Sequence, residues 1–98
     1  MKKIDLIKML AAQQSDVLPM ALELLAPPGV SLDLYSEDGE SFAVTVTRGR
    51  DMVALVEGDD GVFGISGYAT ARTLSAAKSV AYRLREDVPD HCAKQEMH

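Results

Sequence analysis

Residues 53–67 have the sequence VALVEGDDGVFGISG and lead into a helical pattern over residues 73–88. Apolar residues on both sides of an acidic, glycine-containing turn predict two strands joined as a hairpin. The pattern that follows is amphipathic, so we expect a helix that folds back over these strands. The rest of the chain is expected to complete the sheet and to cover its apolar face.

The last helix is predicted to begin with Thr73 as its N-cap and to end at Val88-Pro89. Its apolar stripe is expected to face the sheet and consists of Leu74, Ala77, Ala81, Leu84 and Val88. The charged residues expected to face water are Lys78, Arg83, Arg85 and Glu86. Residues 90–98 are polar and lack periodicity, which predicts a flexible tail after a single domain over residues 1–89.

Two helices are predicted within residues 3–26, with a break near residue 15. Ser15 and Asp16 are good N-cap residues, and Pro19 is tolerated in a first helical turn. The residues of the second helix expected to face inward are Leu18, Ala21, Leu22 and Leu25. Pro27-Pro28-Gly29 is expected to end that helix.

Between the helices, alternating apolar and polar residues predict four strands, over residues 30–35, 42–47, 52–57 and 62–66. The connections between them are short and carry turn residues, including Asp38-Gly39 in the first. Connections this short require antiparallel neighbours. We therefore predict an α+β fold with two N-terminal helices, a four-stranded antiparallel β-meander and a C-terminal helix packed on the sheet.

The composition is that of a small globular domain. The chain has 98 residues, of which 47% are hydrophobic, and its apolar runs are too short to span a membrane. Asp5 and Lys8 interrupt any apolar segment near the N-terminus, so no secretory signal is expected. A single cysteine, Cys92, cannot form an internal disulfide, which favours a reducing, cytoplasmic location.

The formal net charge of −5 bears on the kind of partner. Such a chain repels a phosphate backbone on average, so direct nucleic-acid binding is disfavoured, whereas a basic protein surface would attract it. The alternative interpretation is that the acidity only keeps the protein in solution. Both a monomer and a homodimer are compatible with the sequence.

No catalytic, metal or cofactor site is expected. Gly58, Gly61, Gly64 and Gly67 recur at every third position, which matches neither a dinucleotide fingerprint nor a phosphate-binding loop. Instead, Gly58 and Gly61 are predicted to serve the turn, Gly64 to give a bulge or close packing in the strand, and Gly67 to mark the exit from it. The tail contains side chains of metal-ligating types, namely Asp90, His91, Cys92, Glu96 and His98. The adjacent pair His91-Cys92 lacks the spacing of a structural zinc site. No histidine within the predicted fold can activate Cys92.

Six of the fifteen carboxylates fall in the first and third turns of the meander. In a sequential sheet these two turns lie at one end and the basic turn with Arg48 and Arg50 at the other. An acidic rim can dock on an arginine- and lysine-rich protein groove. The predicted partner-binding residues are therefore Glu37, Asp38, Glu40, Glu57, Asp59 and Asp60. The alternative is that these turns are simply solvated.

Residues 55–67, LVEGDDGVFGISG, and the alanine-rich helix that follows resemble one of the anti-CRISPR inhibitors of type I systems, which are small phage-encoded proteins. The shared pattern is Val-Glu-Gly, an acidic turn, Gly, an aromatic residue with Gly, an apolar residue and a final x-Gly. The resemblance is limited to about residues 53–84. It implies a non-catalytic inhibitor in the bacterial host cytoplasm. Such an inhibitor binds a subunit of the surveillance complex or its nuclease and blocks target DNA binding or cleavage.

Two other functions are compatible with the residues. The first is an acidic dimeric chaperone or adaptor that holds a protein partner along a sheet edge or an exposed face. The second is a small nucleic-acid-binding regulator that would use Arg48, Arg50, Lys78, Arg83 and Arg85.

Overall fold

The computed structural model describes residues 1–36 and 41–88, which form an α+β fold. Its elements, in chain order, are α1 (Lys3–Ala12), α2 (Leu18–Leu25), β1 (Ser31–Tyr35), β2 (Ala43–Arg48), β3 (Asp51–Glu57), β4 (Phe63–Ser66) and α3 (Ala71–Arg85). The strands pair antiparallel in the order β1-β2-β3-β4. The predicted meander and its flanking helices are therefore confirmed, and no strand boundary differs from the prediction by more than one residue.

The break between α1 and α2 is made by the backbone more than by a capping side chain. Gln14 adopts a positive φ of 51°, which ends α1. The N-cap position of α2 is Val17, not Ser15 or Asp16, and no side chain caps it. Ser15 lies two residues before this position, and its hydroxyl accepts a hydrogen bond from the Val17 backbone N–H at 3.2 Å.

Helix α3 starts earlier and ends earlier than the sequence predicts. The N-cap position is Thr70, whose backbone is extended, and Thr73 lies inside the first turn. At the other end the chain leaves the helix after Arg85, because its backbone there pairs with the N-terminus. Lys3 donates its N–H to the Glu86 carbonyl at 2.9 Å, and Val88 donates to the Met1 carbonyl at 2.8 Å. This pairing fastens the two ends of the fold together.

The core lies between one face of the sheet and the three helices. Its centre is the inward side chains of β2 and β3, which are at most 2% exposed, namely Val44, Val46, Val53 and Leu55. The residues of α3 that contact it are Thr73, Ala77, Val80 and Leu84, while Leu74 and Ala81 lie half-buried beside them. The buried stripe of α3 is therefore rotated from the predicted one, because Thr73 is drawn inward by hydrogen bonds to the sheet.

The opposite face of the sheet is left open by the helices that the structure describes. Tyr35, Met52 and Val56 point from it into solvent and are 55%, 61% and 47% exposed. These residues alternate along their strands with the core residues. Successive side chains of a strand point to opposite faces of the sheet, so the side chains between the core residues remain on the uncovered face.

Candidate functional site

The turn between β3 and β4 is built by its glycines and by Asp60. Gly58 donates its N–H to the Val62 carbonyl at 2.9 Å, and Gly61 donates to the Gly58 carbonyl at 2.9 Å. Gly61 has a φ of 79°, a conformation that favours glycine. One carboxylate oxygen of Asp60 accepts the Val62 N–H at 3.0 Å. The prediction that Gly58 and Gly61 serve the turn agrees with this arrangement. Gly64 forms no bulge, because it pairs with Val56 in a regular register.

Glu57 does not belong to the exposed part of that turn. It follows Val53 and Leu55 in the alternation of β3, so its side chain lies on the helix-covered face. There its Oε1 lies 2.8 Å from the Nζ of Lys8, and both side chains are 28% exposed. The Lys8 ammonium also sits 5.9 Å from the centre of the Phe42 ring. Glu57 therefore links α1 to the sheet, and its charge is matched within the chain.

Asp59 and Asp60 are the exposed carboxylates of this turn. Within the described ranges, no hydrogen bond or ion pair joins Asp59 to another residue. Three carboxylates of this turn were predicted to bind a partner, and of these Asp59 and Asp60 are exposed to solvent. Their role in binding stays a prediction.

Glu37, Asp38 and Glu40 lie outside the described residues. The strands on either side show where their connection leaves the sheet, because Tyr35 pairs with Ala43 and Ala43 with Val56. These three paired residues lie at the end of the sheet that carries the β3–β4 turn. Arg48 and Arg50 are at the opposite end, as the sequential strand order requires.

The strongest cluster of polar contacts was missed by sequence reasoning, which placed Asp51 in a turn. Its Oδ2 accepts hydrogen bonds from the Thr70 N–H at 3.0 Å, the Thr70 hydroxyl at 2.7 Å and the Thr73 hydroxyl at 2.8 Å. The backbone N–H of Thr70 contributes most to lowering the pKa of the Asp51 carboxyl, followed by the two hydroxyls and the nearby Arg48 charge.

The role of this cluster is structural. The carboxylate occupies the start of α3, where helix N–H groups are otherwise unsatisfied, and so fastens the helix to the first residue of β3. No local pattern reveals it, because the threonines are 19 and 22 residues from Asp51 in the chain.

Arg83 was predicted to face water, and this is wrong. Its guanidinium donates to the Leu25 carbonyl oxygen at 3.0 Å and holds the last turn of α3 against the end of α2. The C-terminal carbonyls of a helix lack intrahelical partners, so the arginine satisfies one of them.

The cations proposed for a nucleic-acid regulator are not gathered on one surface. Arg48 lies near the start of α3, because its charge lowers the pKa of the Asp51 carboxyl, which accepts a hydrogen bond from the Thr70 N–H. Arg85 is the last residue of α3, about 20 Å away along the helix axis. With Arg83 committed to Leu25, the geometry does not favour a continuous phosphate-binding footprint.

Helix α2 carries an apolar surface that the sequence prediction overlooked. Its inner face buries Leu22 and Leu25, as predicted. On the outer side, Val17, Met20 and Leu24 are 52%, 63% and 79% exposed. The signal was present in the sequence LPMALELL, which contains one charged residue and is therefore apolar around most of the helix.

A shallow groove of about 230 Å³ adjoins this surface. It is lined by Lys3, Leu6, Ile7, Ala21, Leu24, Leu25 and Val88. The exposed apolar residues Val17, Met20 and Leu24 together with this groove are called the α2 face below. It is the surface best suited to excluding water against a partner.

The described part of the chain contains neither a metal-binding cluster nor a helix that could cross a membrane. Over residues 1–36 and 41–88, no three histidine, cysteine, aspartate or glutamate side chains are arranged to hold a metal ion. His91, Cys92 and His98 lie outside those ranges. The helices described there are all too short or too polar to cross a bilayer.

Comparison with known protein families, curated proteins and solved structures finds no match to this chain.

Proposed function

We propose that this protein acts by binding another protein, and that the α2 face is its contact surface. The observation that carries the proposal is the exposure of Leu24, Met20 and Val17 on a helix whose inner side already packs against the core. Leaving such side chains in water costs free energy that burial against a partner recovers, about 25 cal/mol per Å² of apolar surface. Contiguous apolar surface of this kind is typical of interaction sites.

The proposal involves no chemical step by the chain itself. The carboxyl group with a displaced pKa, Asp51, serves as a helix anchor, and Glu57 is matched by Lys8. The remaining carboxylates of the β3–β4 turn are open to solvent, where general acid–base catalysis is poorly supported.

Within this class, the resemblance of residues 53–84 leads us to propose a particular function, the inhibition of a type I CRISPR system in the bacterial host cytoplasm. The protein would dock on the surveillance complex or its nuclease and block target DNA binding or cleavage. The net charge of −5 and the exposed Asp59 and Asp60 support docking on a basic protein surface.

The test is binding of the purified protein to a type I surveillance complex and its nuclease, together with phage survival in cells that carry the system. A charge placed on the α2 face, Leu24→Glu, is expected to abolish both. Tyr68→Glu is the matched control, because Tyr68 is fully exposed away from α2 and should tolerate the change. Absence of binding by the unaltered protein rejects the CRISPR proposal. Unchanged binding by Leu24→Glu rejects the α2 face.

The adaptor function is the second candidate, favoured by the open face of the sheet with Tyr35, Met52 and Val56. An adaptor of this kind is expected to be a stable dimer. Sedimentation equilibrium at micromolar concentration distinguishes the adaptor from the CRISPR inhibitor. A monomer argues against the adaptor. A dimer that Leu24→Glu converts to a monomer assigns the α2 face to self-association.

A further inference from the structure

Strand β4 forms one edge of the sheet and is not protected against pairing. It bonds to β3 on one side, and no other described strand lies on its far side. Natural edge strands are usually blocked by charged side chains, proline or bulges. Residues 62–66, VFGIS, contain no charged residue or proline, and their register with β3 is regular from Glu57↔Phe63 to Ala54↔Ser66.

The register fixes which backbone groups of this edge are open. Gly58 donates to Val62, so the pairs that exchange hydrogen bonds with β3 involve Val62, Gly64 and Ser66. The N–H and C=O groups of Phe63 and Ile65 consequently point away from β3. None of the described residues bonds to them.

A groove runs beside this open edge, between β4 and α3. Its volume is about 230 Å³, and its apolar walls are Val62, Phe63, Ile65, Ala81 and Tyr82. Side chains of an added strand alternate across its plane, so every second one would enter this groove. The geometry therefore offers backbone partners and an apolar slot along the same line.

Two cations flank the groove, Lys78 and Arg85. Both are exposed, and neither forms an ion pair within the described ranges. They are seven residues apart on α3, or about 10 Å along the helix, which equals about three residues of an extended strand. Their spacing fits a short apolar segment with carboxylates at its ends.

We propose that the groove between β4 and α3 binds an extended, acidic-ended peptide segment of a partner protein, which adds as a strand beside β4. A second copy of this chain is a poorer occupant. Its own edge, VFGIS, has no carboxylate for Lys78 or Arg85 and would bring a second pair of cations to the contact. This surface is separate from the α2 face, so either can fail without the other.

The first experiment uses two fluorescein-labelled heptapeptides of sequence EEVTVEE and KKVTVKK with the 98-residue chain. In each peptide a three-residue apolar segment separates the inner charges, which matches the spacing of Lys78 and Arg85. Fluorescence anisotropy is expected to show saturable binding of the glutamate-ended peptide. The lysine-ended peptide should bind about tenfold more weakly, since two attractions become repulsions. The double variant Lys78→Glu with Arg85→Glu should reverse this preference. Arg50→Glu with Arg72→Glu, a charge reversal of the same size at two exposed arginines that do not line the groove, should leave it unchanged. Equal binding of both peptides, or of neither, overturns the proposal.

The second experiment is amide hydrogen exchange, which distinguishes strand addition from simple charge attraction. The glutamate-ended peptide should slow exchange at Phe63 and Ile65, while Gly64 and Ser66, whose amides already bond to β3, should change little. Binding without protection of Phe63 and Ile65 overturns strand addition. The amides of Phe63 and Ile65 could already be protected in the protein without peptide. If that protection rises with protein concentration, a second copy occupies the edge, and if deletion of residues 89–98 abolishes it, those residues occupy the edge. Either result also overturns the proposal.

Discussion

The ammonium of Lys8 lies 2.8 Å from a carboxylate oxygen of Glu57, and this ion pair joins residues 49 positions apart in the chain. It connects α1 to the last residue of β3, directly before the acidic turn. The pair divides that turn into a structural carboxylate, Glu57, and two exposed ones, Asp59 and Asp60. Replacing all three together would therefore mix a loss of stability with a loss of surface charge.

Removal of the lysine that pairs with Glu57 is expected to show that this carboxylate is structural. Lys8→Ala should lower the free energy of unfolding by about 1 kcal/mol, because the pair is only partly screened by water. Urea denaturation provides the measurement. Lys3→Ala is the control, since Lys3 lies 4.0 Å from a more exposed partner, Glu86, and its loss should be close to neutral. Equal effects of the two substitutions would show that the Lys8–Glu57 contact is not structural.

The contacts of Asp51 with Thr70 and Thr73 predict a pH dependence. Hydrogen bonds in the folded protein lower the pKa of this carboxyl below its usual value of 3.8, so its stabilising contribution is fully present above that pH. The contribution is lost as the pH falls through the lower, folded-state pKa. The difference in unfolding free energy between the wild type and Asp51→Asn should therefore be constant near neutral pH and shrink below about pH 4. Ser75→Ala, at an exposed side chain of α3 that does not ionise, serves as the control, and its difference from the wild type should not vary with pH.

The two faces of β3 are expected to respond differently to truncation. Leu55 is 0% exposed in the core and Val56, its neighbour, is 47% exposed on the open face. Leu55→Ala should cost about 2–5 kcal/mol through lost burial and a cavity. Val56→Ala should stay within about 0.5 kcal/mol. Thermal or urea unfolding of both variants tests this, and similar losses would mean that the open face is covered in solution.

Arg83 is expected to contribute through its contact with Leu25. Removal of the guanidinium in Arg83→Ala leaves the last turn of α2 without a donor, and the expected cost is about 1 kcal/mol. Arg72→Ala, an exposed arginine on the same helix, is the control and should be nearly neutral. If both substitutions have the same effect in urea denaturation, the contribution comes from helix charge and not from this contact.

Much of the fold was predictable because its information is local. Alternation along residues 30–35 and 42–47 and the apolar run over residues 52–57 indicate strands, and connections of a few residues permit only antiparallel neighbours. Errors concerned the ends of the helices, the buried stripe of α3 and the contact of Arg83. Residues 86–88 read as helical, but their backbone bonds to the N-terminus, which no helical pattern can reveal.

The candidate surfaces were less predictable. The apolar circumference of α2 was visible in its composition, yet only the packed structure shows that Val17, Met20 and Leu24 are the residues left outside. The open edge of β4 follows from the strand order, while the groove beside it depends on where Tyr82 and Arg85 of α3 come to lie.

By itself the sequence determined the elements, their order in the sheet and the acidic character of the turns, since all of these depend on neighbouring residues. Tertiary structure decided the roles of individual charges. Glu57 is paired by Lys8, Asp51 holds the start of α3, and Arg83 caps α2, across 49, 19 and 58 positions of the chain. Such contacts arise only when packing brings distant segments within a few ångströms, where short-range electrostatic forces act. The turn that begins at Glu57 therefore presents Asp59 and Asp60 to solvent, and Glu57 to the fold.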